Sequence, residues 1–183
     1  MSDETLVALR GKRVELKDPH ALCDLAIDYG YGQNGLSVDH TKCVDLMRQS
    51  AGLGCPDAHY KLGIYHYNGE MGLEQNEEET LKYYTRAAED GHVQARHNLG
   101  CMESNNGNRV AGMRHWRLAA SEGDRNSMNC LIDYFEAGLL QHPILAETMQ
   151  AFYRARAEMK SEDRDQYIKL LKKTGEYKEE YDM

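Results

Sequence analysis

A pattern of small residues at helical intervals recurs along this 183-residue chain, and it restricts the fold more than any other feature. Ala21, Leu25, Ala26 and Gly32 are followed by Ala51, Gly52 and Gly54. Ala58, Leu62, Gly63 and Gly69 are followed by Ala87, Ala88 and Gly91, and Ala95, Leu99 and Gly100 by Ala119, Ala120 and Gly123. A fainter fourth copy keeps Leu131 and Gly138 after Ser127, which stands where the other copies have alanine. The anchors Ala21, Ala58 and Ala95 are 37 residues apart, and Ser127 follows after 32. Such a period predicts a stack of helix pairs rather than one closed core.

Local signals divide the stack. Residues 1–17 carry no copy and read as an N-terminal segment or partial cap. Asp18-Pro19 opens a helix, with Asp18 free to accept an orphan amide and Pro19 in the first turn, where no amide partner is needed. That helix should run to about Tyr29 and stop at Gly30 and Gly32. A second should run from about Asp39 to Leu53, and Pro56-Asp57 opens the next pair. The acidic run Glu74–Glu79 complements the positive end of a helix macrodipole. It lacks the spacing of a calcium loop. Second helices then carry the apolar stripes Leu81, Tyr84, Ala88 and Met113, Trp116, Ala120. In the fourth copy the stripe is Leu145, Met149, Phe152, with a register ambiguous by one residue. The array divides as 18–56, 57–93, 94–125 and 126–160, followed by a short C-terminal capping helix over 161–175 and a charged tail over 176–183.

Glycine within a helix costs about 1 kcal/mol relative to alanine. Gly63 and Gly100 occupy the same repeat position, with Ala26 in the first copy, so helices there must cross too closely for a larger side chain. Leu62, Leu99, Tyr84 and Trp116 read as scaffold residues filling the spaces between crossings.

The formal charge of −8 disfavours nucleic acid and anionic membrane surfaces, both of which attract basic proteins. No apolar run is long enough to span a membrane, and the start of the chain lacks a secretory signal. Five cysteines, an odd number with no CxxC pair, read as reduced thiols. The expected location is therefore cytoplasmic or nuclear, not secreted.

The run Ala58, Leu62-Gly63, Asn68-Gly69, Tyr83-Tyr84, Ala87-Ala88 and Gly91 resembles the Sel1-like repeat, a relative of the tetratricopeptide repeat. The resemblance covers roughly residues 19–160. It implies an all-α fold, a right-handed α/α superhelix (solenoid) of about four helix pairs whose first helices line a concave face. It also implies adaptor or scaffold roles. Secreted relatives link their helices through paired cysteines, but those positions here hold Ala88 and Ala95, or Ala51 and Ala58.

Comparison with tetratricopeptide arrays places the third, seventh and tenth residues counted from each repeat alanine on that face. Copy one offers Cys23, Ile27 and Gly30, and copy two Tyr60, Ile64 and Tyr67. Copy three offers His97, Cys101 and Ser104, and copy four Asn129, Asp133 and Glu136. The partner-binding candidates are Tyr60, Ile64, Tyr67, His97, Cys101, Asn129 and Asp133, where aromatic anchors beside amides and carboxylates would suit a peptide. The alternative is that some of these pack between neighbouring first helices.

His97 and Cys101, and likewise Cys55 and His59, stand four apart on a helix, but no second pair completes a zinc set. No metal, cofactor or catalytic residue is expected, because phosphate-binding glycine loops and hydrolase motifs are missing. The expected function is a non-enzymatic protein–protein interaction module holding a peptide or partner helix, as a monomer or with weak self-association. A spacer or docking segment of a larger regulatory protein is the alternative, and a Cys/His metal-binding module ranks below it.

Overall fold

The computed structural model describes residues 11–159, and these residues are helices joined by short turns. After a helical stretch over 11–15 come α1 (Pro19–Tyr31), α2 (His40–Gly52), α3 (Pro56–Asn68) and α4 (Glu77–Glu89). These are followed by α5 (Val93–Asn105), α6 (Arg109–Ser121), α7 (Arg125–Glu136) and α8 (His142–Met159). The expected capping helix and charged tail lie outside the described residues. The described residues form two compact units that divide between Gly112 and Met113, inside α6.

In the first unit α1 packs on α2 and α3 on α4, while α2 against α3 and α4 against α5 join the pairs. Several helices start where the sequence supplies an acceptor. Asp18 takes the amide of Ala21 at 3.0 Å, Asp39 that of Lys42 at 2.9 Å, and Asn76 that of Glu79 at 3.0 Å. Each satisfies an amide that has no partner within its own helix. Glu77, Glu78 and Glu79 fill the first turn of α4, as the acidic run predicts. The first helices of copies one and two end at Gly32 and Gly69, with φ of 67° and 70°. Their following loops repeat one conformation: Asp39 N–H donates to Tyr29 O at 2.8 Å, and Asn76 N–H to His66 O at 2.9 Å. Copy three has only a short turn at Gly107, which accounts for the five-residue shortening of the period.

Two apolar clusters hold this unit together. Ala26, Cys43, Met47, Ala58, Leu62 and Tyr65 belong to one, and Tyr84, Ala87, Ala88, Ala95 and Leu99 to the other. The crossings are as close as the small residues predict. A Cβ on Gly63 would lie 2.5 Å from Cδ1 and Cε1 of Tyr84, and one on Gly112 would lie 2.8 Å from the carbonyl oxygen of Gly100.

In the second unit α7 packs on α8. Asp124 caps α7 by accepting the amide of Ser127 at 2.7 Å, and Leu131 is fully buried. Leu145 and Phe152 are buried, with Met149 half-buried between them in sequence. Trp116 meets Tyr134 edge-on with ring centres 5.0 Å apart, and Arg156 donates to the carbonyl of Gly123 at 3.4 Å. No disulfide joins any of the five cysteines.

Candidate functional site

Three helix stripes in the first unit enclose a groove of about 710 Å³. From α3 come Tyr60, Ile64, Tyr67 and Asn68; from α4, Glu77, Thr80 and Tyr84; from α5, Asn98, Cys101, Met102 and Asn105. Each set follows i, i+3 or i+4, i+7, so one face of each helix supplies one wall. Gln75 from the loop and Asn106 at the end of α5 complete the rim.

The floor is aromatic and the rim is amide. Tyr60 lies 5.8 Å from Tyr84, centre to centre, and stacks on His92 at 4.2 Å. Burial pushes the Tyr84 hydroxyl up to about 12, against the hydrogen bond from Asn98. Burial likewise raises Tyr60, again opposed by Asn98. Both phenols therefore stay neutral near neutral pH. At the rim, Gln75 donates to the Tyr67 carbonyl at 2.8 Å, and Asn106 donates to Glu77 Oε1 at 2.9 Å. Thr80 is buried and turns its hydroxyl to the Asn76 carbonyl at 2.7 Å. Five of the lining side chains are carboxamides (Asn68, Gln75, Asn98, Asn105 and Asn106), each offering a donor and an acceptor together. Such a surface matches the alternating N–H and C=O groups of another polypeptide backbone.

The structure brings together four of the seven candidate residues: Tyr60, Ile64, Tyr67 and Cys101. Tyr67 is 52% exposed, while Tyr60 and Ile64 are half-buried. His97 is half-buried on α5 with Nε2 3.5 Å from Cys101 Sγ, and is not among the lining residues. Asn129 and Asp133 are exposed on α7 in the second unit. In copy one the packing alternative holds for two positions. Cys23 is buried, and Gly30 is buried where a Cβ would lie 3.0 Å from Cys43 Sγ. His59, four residues after Cys55, has its Nδ1 3.2 Å from the backbone carbonyl of Cys55.

Asn98 and Asn105 escaped the sequence reading, and Tyr84 figures there only as a scaffold residue. On α5 the groove face is turned by one residue from the expected positions, to Asn98, Cys101 or Met102, and Asn105. The third helix meets the groove from the opposite wall, so an offset transferred from copy to copy misses it. The crowding of carboxamides at Asn68, Gln75, Asn98, Asn105 and Asn106 is the signal that could have found it. Tyr84 combines its scaffold role against Gly63 with a place in the floor of the groove.

The Sel1 repeat family model matches residues 19–55, 56–92 and 93–124. A chitin synthase regulator of Malassezia restricta is 35% identical over 78 residues, which is 42% of this chain and 5% of that protein. Chitin synthase regulatory factor 2 of Schizosaccharomyces pombe is 31% identical over 121 residues, 63% of this chain and 23% of the relative. The chain thus spans less than a quarter of the length of either. Among solved structures, a Sel1 repeat protein from Oxalobacter formigenes superposes with a TM-score of 0.64 at 24% identity, over 69% of this chain and 97% of the other. A protective antigen of uropathogenic Escherichia coli strains displaying an SLR fold gives a TM-score of 0.68 at 27% identity, over 80% of this chain and 32% of the antigen. The described chain is accordingly an all-α helical repeat, and with three consecutive matches over more than half its length it belongs to the Sel1 repeat family.

Proposed function

We propose that the chain is a non-enzymatic interaction module that holds an extended peptide segment of a partner protein in the groove between α3, α4 and α5. The carrying observation is a groove lined by five carboxamides together with Tyr60, Tyr67 and Tyr84. Carboxamides satisfy backbone donors and acceptors whatever the side chains, while Tyr67 and Ile64 offer apolar surface for one or two anchoring residues. Phenols whose protons are held more tightly by burial act as hydrogen-bond donors rather than nucleophiles. The likeness to chitin synthase regulators supports a regulatory adaptor acting on an enzyme through protein contacts. A cytoplasmic or nuclear location belongs to the same proposal, since free thiols at Cys23, Cys43 and Cys55 persist in a reducing compartment.

Peptides selected on the purified chain from a random library provide the test. Tyr67→Ala combined with Asn105→Ala alters two exposed groove residues and should weaken the selected peptides at least about tenfold, while helicity and melting temperature stay unchanged. Binding at wild-type strength by this variant would overturn the reading. Tyr60→Ala is a poorer probe, because stacking on His92 and packing near Tyr84 give Tyr60 a share in stability.

A further inference from the structure

Three metal-ligating side chains from two successive repeats converge where the first helices begin. His20 lies in the first turn of α1, Cys55 is the N-cap of α3 and Asp57 is in its first turn. One donor atom from each lies within 4.8 Å of the other two. His20 Nδ1 is 3.7 Å from Cys55 Sγ and 3.9 Å from Asp57 Oδ2. A tetrahedral zinc ion, with bonds of about 2.0–2.3 Å, sets its ligand atoms roughly 3.3–3.7 Å apart. Small rotations of an imidazole and a carboxylate would close the remaining difference.

Two features distinguish this cluster from a chance meeting of surface groups. Asp18, Cys55, His92 and Asp124 occupy equivalent repeat positions as N-caps of first helices. Three of them accept a helix amide through the side chain, but Cys55 makes no such bond and its sulfur lies beside His20. Asp57 is also held from behind. His92 Nδ1 accepts the Ala95 amide at 3.1 Å, so its proton sits on Nε2, 3.3 Å from Asp57 Oδ1. A carboxylate gripped through one oxygen, with the other turned toward a histidine, is the kind of outer-shell support that orients metal ligands. The side chains of His20 and Asp57 are 62% and 59% exposed, giving a solvent path to Cys55 beneath them. Neighbouring Cys23 is buried and directs its thiol to Met47 Sδ, 3.7 Å away.

We propose that His20, Cys55 and Asp57 form a zinc site, with water as the fourth ligand. A mixed imidazole, thiolate and carboxylate set suits zinc. On binding, the Cys55 S–H bond breaks, its proton passes to the buffer and the sulfur keeps the electron pair that it shares with the metal. The ion ties repeat one to repeat two. Through His92, which also stacks on Tyr60, the site adjoins the wall of the groove.

Calorimetric titration of the full chain with zinc, in buffers of different ionisation heat, tests this, with cobalt as a spectroscopic stand-in. The wild type should take up zinc at this site with one proton released, and its cobalt complex should show a thiolate-to-cobalt charge-transfer band. His20→Ala, Asp57→Asn and Cys55→Ser should each weaken zinc by more than the roughly 10–100-fold that loss of an outer-shell partner costs. Cys55→Ser should also abolish the band. Two of these residues are exposed and serine is a strong N-cap, so all three variants should keep their helicity, which circular dichroism checks. Wild type that takes up no zinc at micromolar concentration overturns the proposal. So do His20→Ala and Asp57→Asn variants that bind zinc with wild-type affinity.

Discussion

At the scale of single residues, Gly63 and Gly52 show how the same amino acid serves opposite ends. An added methyl at Gly63 would press into the Tyr84 ring, whereas nothing lies within 4 Å of a Cβ at Gly52, the last residue of α2. Gly63→Ala gains about 1 kcal/mol of helix propensity but overpacks a buried crossing, a change that costs about 1–3 kcal/mol. The expected net effect is a lower melting temperature and, because Tyr84 floors the groove, weaker peptide binding. Gly52→Ala, with open space and a helical backbone, should raise stability by about 0.4–1 kcal/mol in a urea titration. The steric demand at Gly63 was legible from its recurrence at Gly100. Gly112 stood outside the repeated motif, and only the structure shows that it abuts the Gly100 carbonyl.

At the scale of elements, the helix starts at Asp18, Asp39, Asn76, His92 and Asp124 share one device, a capping side chain that accepts the amide three residues on. His92 is the least familiar of these caps, and it makes α5 sensitive to pH. Burial lowers its pKa below the ordinary 6.5, against the favourable pull of Asp57. Protonation would also turn the Nδ1 acceptor into a donor facing the Ala95 amide. The unfolded chain therefore binds this proton more readily than the folded one. The contribution to stability is whole above about pH 6.5 and is lost as pH falls through the lower folded value. His92→Asn keeps a cap without a titrating ring. The melting temperature of the wild type should fall more steeply than that of His92→Asn between about pH 7 and about pH 5. Equal slopes would contradict this account. Helix periodicity revealed that each helix has an inner and an outer face. The one-residue turn that brings Asn98 into the groove depends on how α5 meets α3 and α4, which local pattern does not encode.

At the scale of the whole molecule, repeat architecture makes stability a sum of local interfaces. Leu62 is fully buried in the cluster shared by α1, α2 and α3. Leu62→Ala should cost about 2–5 kcal/mol. Amide hydrogen exchange should accelerate first in those three helices rather than uniformly along the chain. A uniform rise would contradict the additive picture. By itself, the sequence determined the all-helical class, the 37-residue period, several helix starts and the small-residue crossings. All of these follow from contacts within a few residues or from a pattern repeated often enough to be read. The tertiary structure alone decided which helix faces meet. It set Asn98 in one groove with Tyr60 and Tyr84, buried Cys23 and Gly30 in copy one, and gathered His20, Cys55 and Asp57 at one point. Those juxtapositions join residues from different repeats, and their geometry depends on the crossing of packed helices rather than on spacing along any one of them.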